Sequence, residues 1–232
     1  MLLSSLILLV LFSATSCVVT DQLSFKETGY NSSTFDFTVE DFFIAVLEDF
    51  SEFVPEDQDT SLMDKAIGDF ELALRYSSTT NSVNIQNLDD NAYKGYFNFM
   101  DLDRLFSDLG AGNNQSLLKL QNNTLTFSLS MDNYDQLVPV IPFLADENFE
   151  AFGPVYNQGL SESDYLEMIG FMLGEEGPPA IEKSSITLRI ATPKPIRSFT
   201  HGKKIGTNLY EFSFLLIDFL LLADPITFSV SW

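Results

Sequence analysis

Apolar and polar residues alternate at both ends and in the middle of the chain, and this period of two predicts half-buried β-strands. The clearest example is residues 125–131, in which Leu, Phe, Leu and Met are separated by Thr and Ser. The other strong candidates are residues 23–25 and 35–39, which flank a turn at Gly29, and residues 186–190 and 226–232. Shorter candidates cover residues 72–76, 83–85, 93–99 and 209–212. Together these segments predict seven or eight strands.

Apolar residues also recur at steps of three and four residues, which predicts helices with one apolar face. The helices are expected over residues 41–53, 61–70, 102–109, 134–144, 161–174 and 212–223. The strongest start signal is Ser161, because Asp164 follows it at capping-box spacing and Gly174 then supplies the end. Ser61 and Asp64 form a second pair of this kind.

Strands in groups, with helices inserted between hairpins, predict an α+β fold. We expect a mainly antiparallel sheet of about seven or eight strands, with several short helices packed on one face. The stretches 110–114 and 174–179 are interpreted as loops, and neither is long enough to link two domains. Residues 17–232 are therefore predicted to form a single α+β domain.

The amino-terminal residues have the order of a secretory leader. An apolar run over residues 2–12 is followed by small residues and then by Cys17, the only cysteine of the sequence. This order predicts a signal peptide of the lipoprotein type over residues 1–16, with Cys17 as the lipidation site. The structural alternative is that Cys17 is a small buried apolar residue. We expect an exported protein, lipid-anchored in the bacterial cell envelope on the periplasmic or cell-surface face of a membrane.

The charge balance excludes one class of partner. The sequence has 33 acidic and 12 basic side chains, a net charge of −21, which repels phosphate backbones and makes nucleic acid an improbable ligand. It also repels anionic lipid headgroups. Since 45% of the residues are hydrophobic and 22 are Phe, the chain nevertheless has a packed core rather than the composition of a disordered acidic tail.

Residues with catalytic or metal-binding potential are few. His201 is the only histidine, and it adjoins a glycine and two lysines in a predicted hairpin turn, so neither a His-rich zinc site nor a catalytic triad is expected. Asp101, Asp103 and Asp108 lack the glycine and glutamate of a calcium loop and are interpreted as the polar face and cap of a short helix. Ser161 is interpreted as a helix cap and not as a catalytic residue. We therefore predict no enzyme activity, no cofactor and no metal.

Several segments carry a family resemblance. They are Cys17 with Val18 and Val19, the turn 27–29, Pro193–Ile196, Glu211–Leu222 and the closing segment Pro225–Trp232. In this layout the chain resembles the LppM-like bacterial lipoproteins. The stretch from 153–159 through 174–179 resembles uncharacterised spirochaetal lipoproteins. The resemblance implies an envelope-anchored α+β domain that handles lipid or glycolipid.

Two functions from different classes remain open. The first is a membrane-anchored binding module for a lipid, glycolipid or other apolar ligand, in which the Phe-rich interior with Met131, Met168 and Met172 leaves a groove. The same residues could instead pack as a solid core. The second is a structural or assembly lipoprotein that holds a protein partner in the cell envelope. An apolar pocket would favour the first, and a filled interior with one exposed apolar patch would favour the second.

Overall fold

The computed structural model describes residues 18–39, 62–89, 91–145 and 150–232, and it confirms the α+β class. The strands of these residues are β1 (Val18–Ser24), β2 (Asn31–Thr38), β3 (Thr80–Asp89), β4 (Ala92–Phe99), β5 (Leu118–Gln121), β6 (Thr124–Leu129), β7 (Ser185–Ala191), β8 (Ser198–Thr200), β9 (Lys203–Gly206), β10 (Leu209–Leu215) and β11 (Ile226–Ser231). The α-helices are α1 (Leu62–Tyr76), α2 (Leu102–Phe106), α3 (Tyr134–Leu137), α4 (Glu162–Leu173), α5 (Gly177–Lys183) and α6 (Leu216–Leu221). A π-helical turn, Ser107–Ala111, continues α2, and a 3-10 turn covers Pro142–Ala145.

The larger sheet has seven strands in the order β3-β4-β2-β1-β7-β10-β9. The opening hairpin is present as predicted, with β1 antiparallel to β2. Strand β1 also pairs with β7 over its whole length, from Val18 with Ser185 to Ser24 with Ala191, and this pair is parallel. Every other pairing among the described strands of this sheet is antiparallel, so the prediction of a mainly antiparallel sheet is confirmed.

The smaller sheet has four strands in the order β5-β6-β11-β8 and packs against one part of the larger one. Aromatic rings make the junction. The ring of Phe228 on β11 lies 5.1 Å from that of Phe212 and 5.4 Å from that of Tyr210, both on β10. Trp232 stacks on Phe25 with a centroid distance of 5.6 Å. The core of both sheets is therefore continuous.

One predicted strand is wrong. Residues 72–76 belong to α1, because the fully buried Leu74 continues the three- and four-residue spacing of the helix while Leu72 and Tyr76 point to solvent. Alternation over five residues cannot separate a strand from the end of an amphipathic helix. Strands β5, β8 and β9 have three or four residues each, too few for their pattern to be recognised.

The helix predictions have mixed outcomes. Ser161 caps α4 as predicted, accepting a hydrogen bond of 3.2 Å from the backbone N–H of Asp164. The loop predicted over residues 174–179 is wrong in its second half, since α5 begins at Gly177 with prolines in its first turn, where a missing N–H costs nothing. The segment 212–223 is divided, with β10 extending to Leu215 before α6 begins. The helix predicted over residues 41–53 lies outside the described residues.

Asp108 joins two helices at the edge of the core. Its Oδ2 atom accepts hydrogen bonds from the Ser77 hydroxyl (3.0 Å) and from the Ser78 backbone N–H and hydroxyl (2.9 Å each). Its Oδ1 atom lies 2.8 Å from Nε of Arg104. Burial raises the pKa of the Asp108 carboxyl, but these bonds and the Arg104 charge lower it by more, so the pKa is below its usual value. Asp108 therefore connects the end of α1 to α2.

Candidate functional site

One face of the seven-stranded sheet points to the interior, and we call it the inner face. Register pairs place its side chains in rows that cross β4, β2, β1, β7 and β10. The first row, here the buried row, consists of Phe97, Ser33, Leu23, Ile190 and Tyr210, in that order across the sheet. All five are buried, with at most 9% of their surface exposed. This row closes one end of the inner face.

The next two rows are less completely covered. The middle row consists of Gly95, Phe35, Asp21, Leu188 and Phe212, and the end row of Tyr93, Phe37, Val19, Ile186 and Phe214. Phe35, Asp21 and Leu188 are half-buried in the middle row, and every member of the end row except Tyr93 is half-buried. Among the described residues, burial therefore decreases along the strands toward the start of β1. We call the end at the buried row the closed end of the inner face and the end at the end row its open end.

Aromatic rings border these rows on the β2–β4 side. The ring of Phe35 lies across Gly95, so close that a Cβ atom at residue 95 would lie 2.6 Å from Cε2 of Phe35. Phe70 of α1 meets Phe35 edge-on at a centroid distance of 5.9 Å, and Phe37 stacks on Tyr93 at 5.1 Å. Glycine at residue 95 therefore allows the Phe35 ring to lie directly on the backbone of β4.

Asp21 is the one acidic side chain in these rows. It sits on a central strand between Phe35 of β2 and Leu188 of β7. Its Oδ1 atom accepts a hydrogen bond of 2.8 Å from the hydroxyl of the buried Ser33. Burial raises the pKa of the Asp21 carboxyl to about 6, although hydrogen bonds from Ser33 and from the Gln22 backbone lower it in part. The three rows of the inner face thus carry one carboxyl group among mainly apolar and aromatic side chains.

No basic side chain compensates Asp21. All 12 Lys and Arg residues of the sequence fall within the described ranges, and the six ion pairs there use other carboxylates. The basic residues outside these pairs are all exposed, and they are Lys26, Lys65, Lys94, Lys183, Arg197 and Lys204. The undescribed segments contain no Lys or Arg at all. The chain therefore leaves the Asp21 charge without a partner of opposite sign.

The predicted lipidation site, Cys17, and the predicted signal peptide over residues 1–16 lie outside the described residues. Cys17 is bonded to Val18, the exposed first residue of β1. Since a strand rises about 3.3 Å per residue, Asp21 lies about 10 Å along β1 from Val18. Val19, a member of the end row, is two residues from Cys17. The open end of the inner face is thus the end at which the proposed anchor would leave the domain.

The other residues singled out from the sequence take part in turns, helix caps and ion pairs. His201 lies in an exposed turn between β8 and β9, with Nδ1 2.6 Å from the carbonyl oxygen of Thr227. The predicted hairpin is wrong, because β8 and β9 belong to different sheets. Asp101 caps α2 by accepting a 2.9 Å bond from the Arg104 N–H, and Asp103 lies 2.6 Å from Nζ of Lys119. No group of three His, Cys, Asp or Glu side chains suited to a metal ion occurs in the described part of the chain.

The three methionines of the predicted interior are placed as expected. Met131, Met168 and Met172 are partly buried and pack against the main core. Phe35, Ile186, Leu188 and Phe214 of the middle and end rows pack against the same core and are likewise only partly buried.

The sequence analysis does not identify Asp21 as a site residue. The opening strand was identified from Leu23 and Phe25, and the alternation places Asp21 on the same face as Leu23. An acidic residue at an inward position of a predicted strand is a signal that could have identified it. The neighbour Leu188 could not have been identified, because the parallel pairing joins Asp21 to a residue 167 positions later in the chain (188 − 21).

No protein-family model matches the chain, and no curated protein matches its sequence. Among solved structures, the fold is similar to the NMR structure of the folded domain of the LppM protein of Mycobacterium tuberculosis, with a TM-score of 0.39 and 11% sequence identity over 94% of this chain and 90% of that chain. A likeness at this level shows no family and assigns no ligand or activity. The resemblances to the LppM-like family and to spirochaetal lipoproteins therefore stay predictions. Among the described residues, no helix combines the length and the apolar composition needed to cross a bilayer.

We expect Asp21→Asn to stabilise the protein more at pH 7.5 than at pH 5. The folded-state pKa of about 6 exceeds the ordinary value of 3.8, so the folded chain binds the proton more tightly and loses stability as pH rises from about 4 to 6. Asn carries no charge at either pH. The gain in the free energy of unfolding should grow by about 1 kcal/mol between the two pH values, as measured by urea denaturation.

Asp36→Asn is the matched control, because Asp36 lies on the exposed outer face of neighbouring strand β2. This variant gives the effect of replacing an exposed carboxylate on the same pair of strands. An Asp21→Asn gain that is equal at pH 5 and pH 7.5 would contradict an elevated pKa at Asp21.

Proposed function

We propose that this chain is a membrane-anchored envelope lipoprotein whose domain binds a lipid, glycolipid or other apolar ligand on the inner face. The observation that carries the proposal is the incomplete cover of the middle and end rows. Phe35, Leu188, Phe37, Ile186 and Phe214 are large apolar residues of a sheet interior, yet all are half-buried. An alkyl chain lying along them would remove this apolar surface from water.

The apolar area that such a ligand would cover sets the scale of its binding free energy. Covering on the order of 200 Å² of apolar surface is worth about 5 kcal/mol, before the cost of immobilising the ligand. The rows offer a shape as well as area, because the buried row closes one end and the Phe35 and Phe70 rings border one side. A site closed at one end favours a chain that enters from the open end.

The anchor gives the site an orientation in this proposal. A lipidated Cys17 would hold the start of β1 near the bilayer, and the end row begins two residues later. Stable anchoring takes two acyl chains, since a single chain binds reversibly. The net charge of −21 would keep the rest of the domain away from anionic headgroups. The open end of the inner face would then be directed toward the membrane, from which a lipid could enter.

We infer that this function is binding without catalysis. The carboxylates with defined partners serve structural roles, as Asp108 does between α1 and α2. His201 is bonded to a backbone carbonyl in an exposed turn. The likeness to uncharacterised spirochaetal lipoproteins is part of the proposal and rests on the sequence segments alone.

The alternative function, a structural or assembly lipoprotein with a protein partner, has one observation in its favour. Phe171 on α4 is 90% exposed, which is unusual for an aromatic residue on a helix that packs on the core. Single exposed apolar side chains are nevertheless common on monomeric proteins. The inner face combines several half-buried apolar residues with a defined polar group, and we therefore prefer the ligand-binding function.

Leu188→Trp should abolish or strongly weaken binding of the neutral apolar dye Nile red to the purified protein. The larger side chain would cover the half-buried apolar surface of the middle row between Asp21 and Phe212. The measurement is a fluorescence titration of the protein with the dye. We expect the affinity to fall by a factor of about ten or more, because steric exclusion removes most of the apolar contact.

Thr187→Trp is the matched control, since it adds the same indole to the outer face of β7, where Thr187 bonds to Ser213. Nile red should bind this variant as it binds the wild type. Equal affinity of the dye for wild type and for both variants would show that the inner face is not the binding site.

Cys17→Ala should shift the protein from the membrane fraction to the soluble fraction and prevent incorporation of labelled palmitate. The physical reason is that the acyl chains supply the membrane affinity, while the acidic domain supplies none. Ser16→Ala keeps a small residue before the cysteine and should behave as wild type. Membrane association of Cys17→Ala at the wild-type level would contradict anchoring through this residue.

A further inference from the structure

We propose that the inner face selects apolar ligands that carry a protonated amine, with the ammonium group bound by the carboxylate of Asp21. This inference rests on the proposed function and specifies the chemical class of its ligand. It follows from the hydrogen bonds of Asp21, from the distribution of basic residues and from the position of Asp21 within the apolar rows.

The carboxylate of Asp21 has bonding capacity to spare. An ionised carboxylate can accept about four hydrogen bonds, whereas Asp21 has two donors, the Ser33 hydroxyl at 2.8 Å and the Gln22 backbone N–H. An alkylammonium group has three N–H donors and no acceptor, so it complements the remaining lone pairs. The Ser33 bond holds the carboxylate from the closed end of the site, which leaves its other side toward the open end.

Charge distinguishes an amine from other head groups. A carboxylate in an apolar surrounding is costly unless it is paired, and this chain supplies no basic side chain to pair with Asp21. A neutral ligand would cover the charge further without compensating it. A ligand with a carboxylate or phosphate head would add like charge. Among apolar ligands of equal chain length, the ammonium head is therefore the favoured one.

The surroundings of Asp21 suit an amphiphile rather than a free cation. Phe35 and Leu188 lie directly opposite Asp21 on the two neighbouring strands, and Val19 lies beside it on the same face of β1. An ammonium at Asp21 would thus have apolar surface on both sides and along the path to the open end. The net charge of −21 would also raise the local concentration of cationic ligands.

The test compares three ligands of one chain length, dodecylamine, 1-dodecanol and dodecanoate, as competitors of Nile red at pH 7.5. Dodecylamine should bind more tightly than dodecanol, by a factor of about ten or more, and dodecanoate should bind most weakly of the three. Asp21→Asn should lower the affinity for dodecylamine by about tenfold and leave the affinity for dodecanol close to wild type. The unchanged dodecanol affinity also shows that the variant is folded.

One further variant separates a specific contact from a general attraction. Asp36→Asn removes one negative charge from the outer face and should retain the preference for the amine. Loss of the amine preference in Asp36→Asn to the extent seen in Asp21→Asn would show that the preference comes from net charge, and it would overturn the proposal.

The outcomes also distinguish this inference from the proposed function. Equal binding of dodecylamine and dodecanol, or an amine preference that survives in Asp21→Asn, would overturn the inference while the apolar site remains. Failure of all three ligands and of Nile red to bind would overturn the proposed function itself, and the inference with it.

Discussion

The parallel pairing of β1 with β7 is the constraint on which the site depends. It joins the opening hairpin to the carboxy-terminal strands over seven register pairs, from Val18 with Ser185 to Ser24 with Ala191. Without it, β2 and β4 on one side and β10 on the other would not belong to one surface. The pairing also fixes Asp21 between Phe35 and Leu188, because a register shift of one residue would turn Asp21 to the solvent face. The inner face and its single acidic group are therefore one consequence of this strand pair.

Charge distribution gives this arrangement its chemical character. A chain with 33 acidic and 12 basic side chains cannot pair most of its carboxylates, and its bases are used or exposed elsewhere. Most unpaired acids are solvated, which costs little. Asp21 differs because it stands in apolar rows with only Ser33 and a backbone N–H as donors. In our proposal this uncompensated acid is the source of ligand selectivity on the inner face.

Much of the fold follows from local pattern, and most of the site does not. Alternation correctly predicted β6 and the hairpin of β1 and β2, and Ser161 correctly predicted the start of α4, because periodicity and capping are local interactions. Local pattern failed at residues 72–76, where strand-like alternation coincides with the end of α1, and at α5, whose prolines occupy a first turn. The site depends on Asp21, Ser33 and Leu188 being neighbours. The predicted hairpin brings Ser33 to Asp21, but only the pairing of β1 with the distant strand β7 brings Leu188 there. Asp21 itself could have been noticed as an acid at an inward strand position.

The most direct test of the account is the titration of the Asp21 side-chain carboxyl by carbon-13 NMR, with the resonance assigned by its loss in Asp21→Asn. A carboxyl held in apolar rows without a cation should titrate with a midpoint of about 6, well above the ordinary value of 3.8. A midpoint at or below the ordinary value would mean that the carboxyl is solvated or already paired with a positive group. That result would contradict the claim that the inner face holds an uncompensated acid.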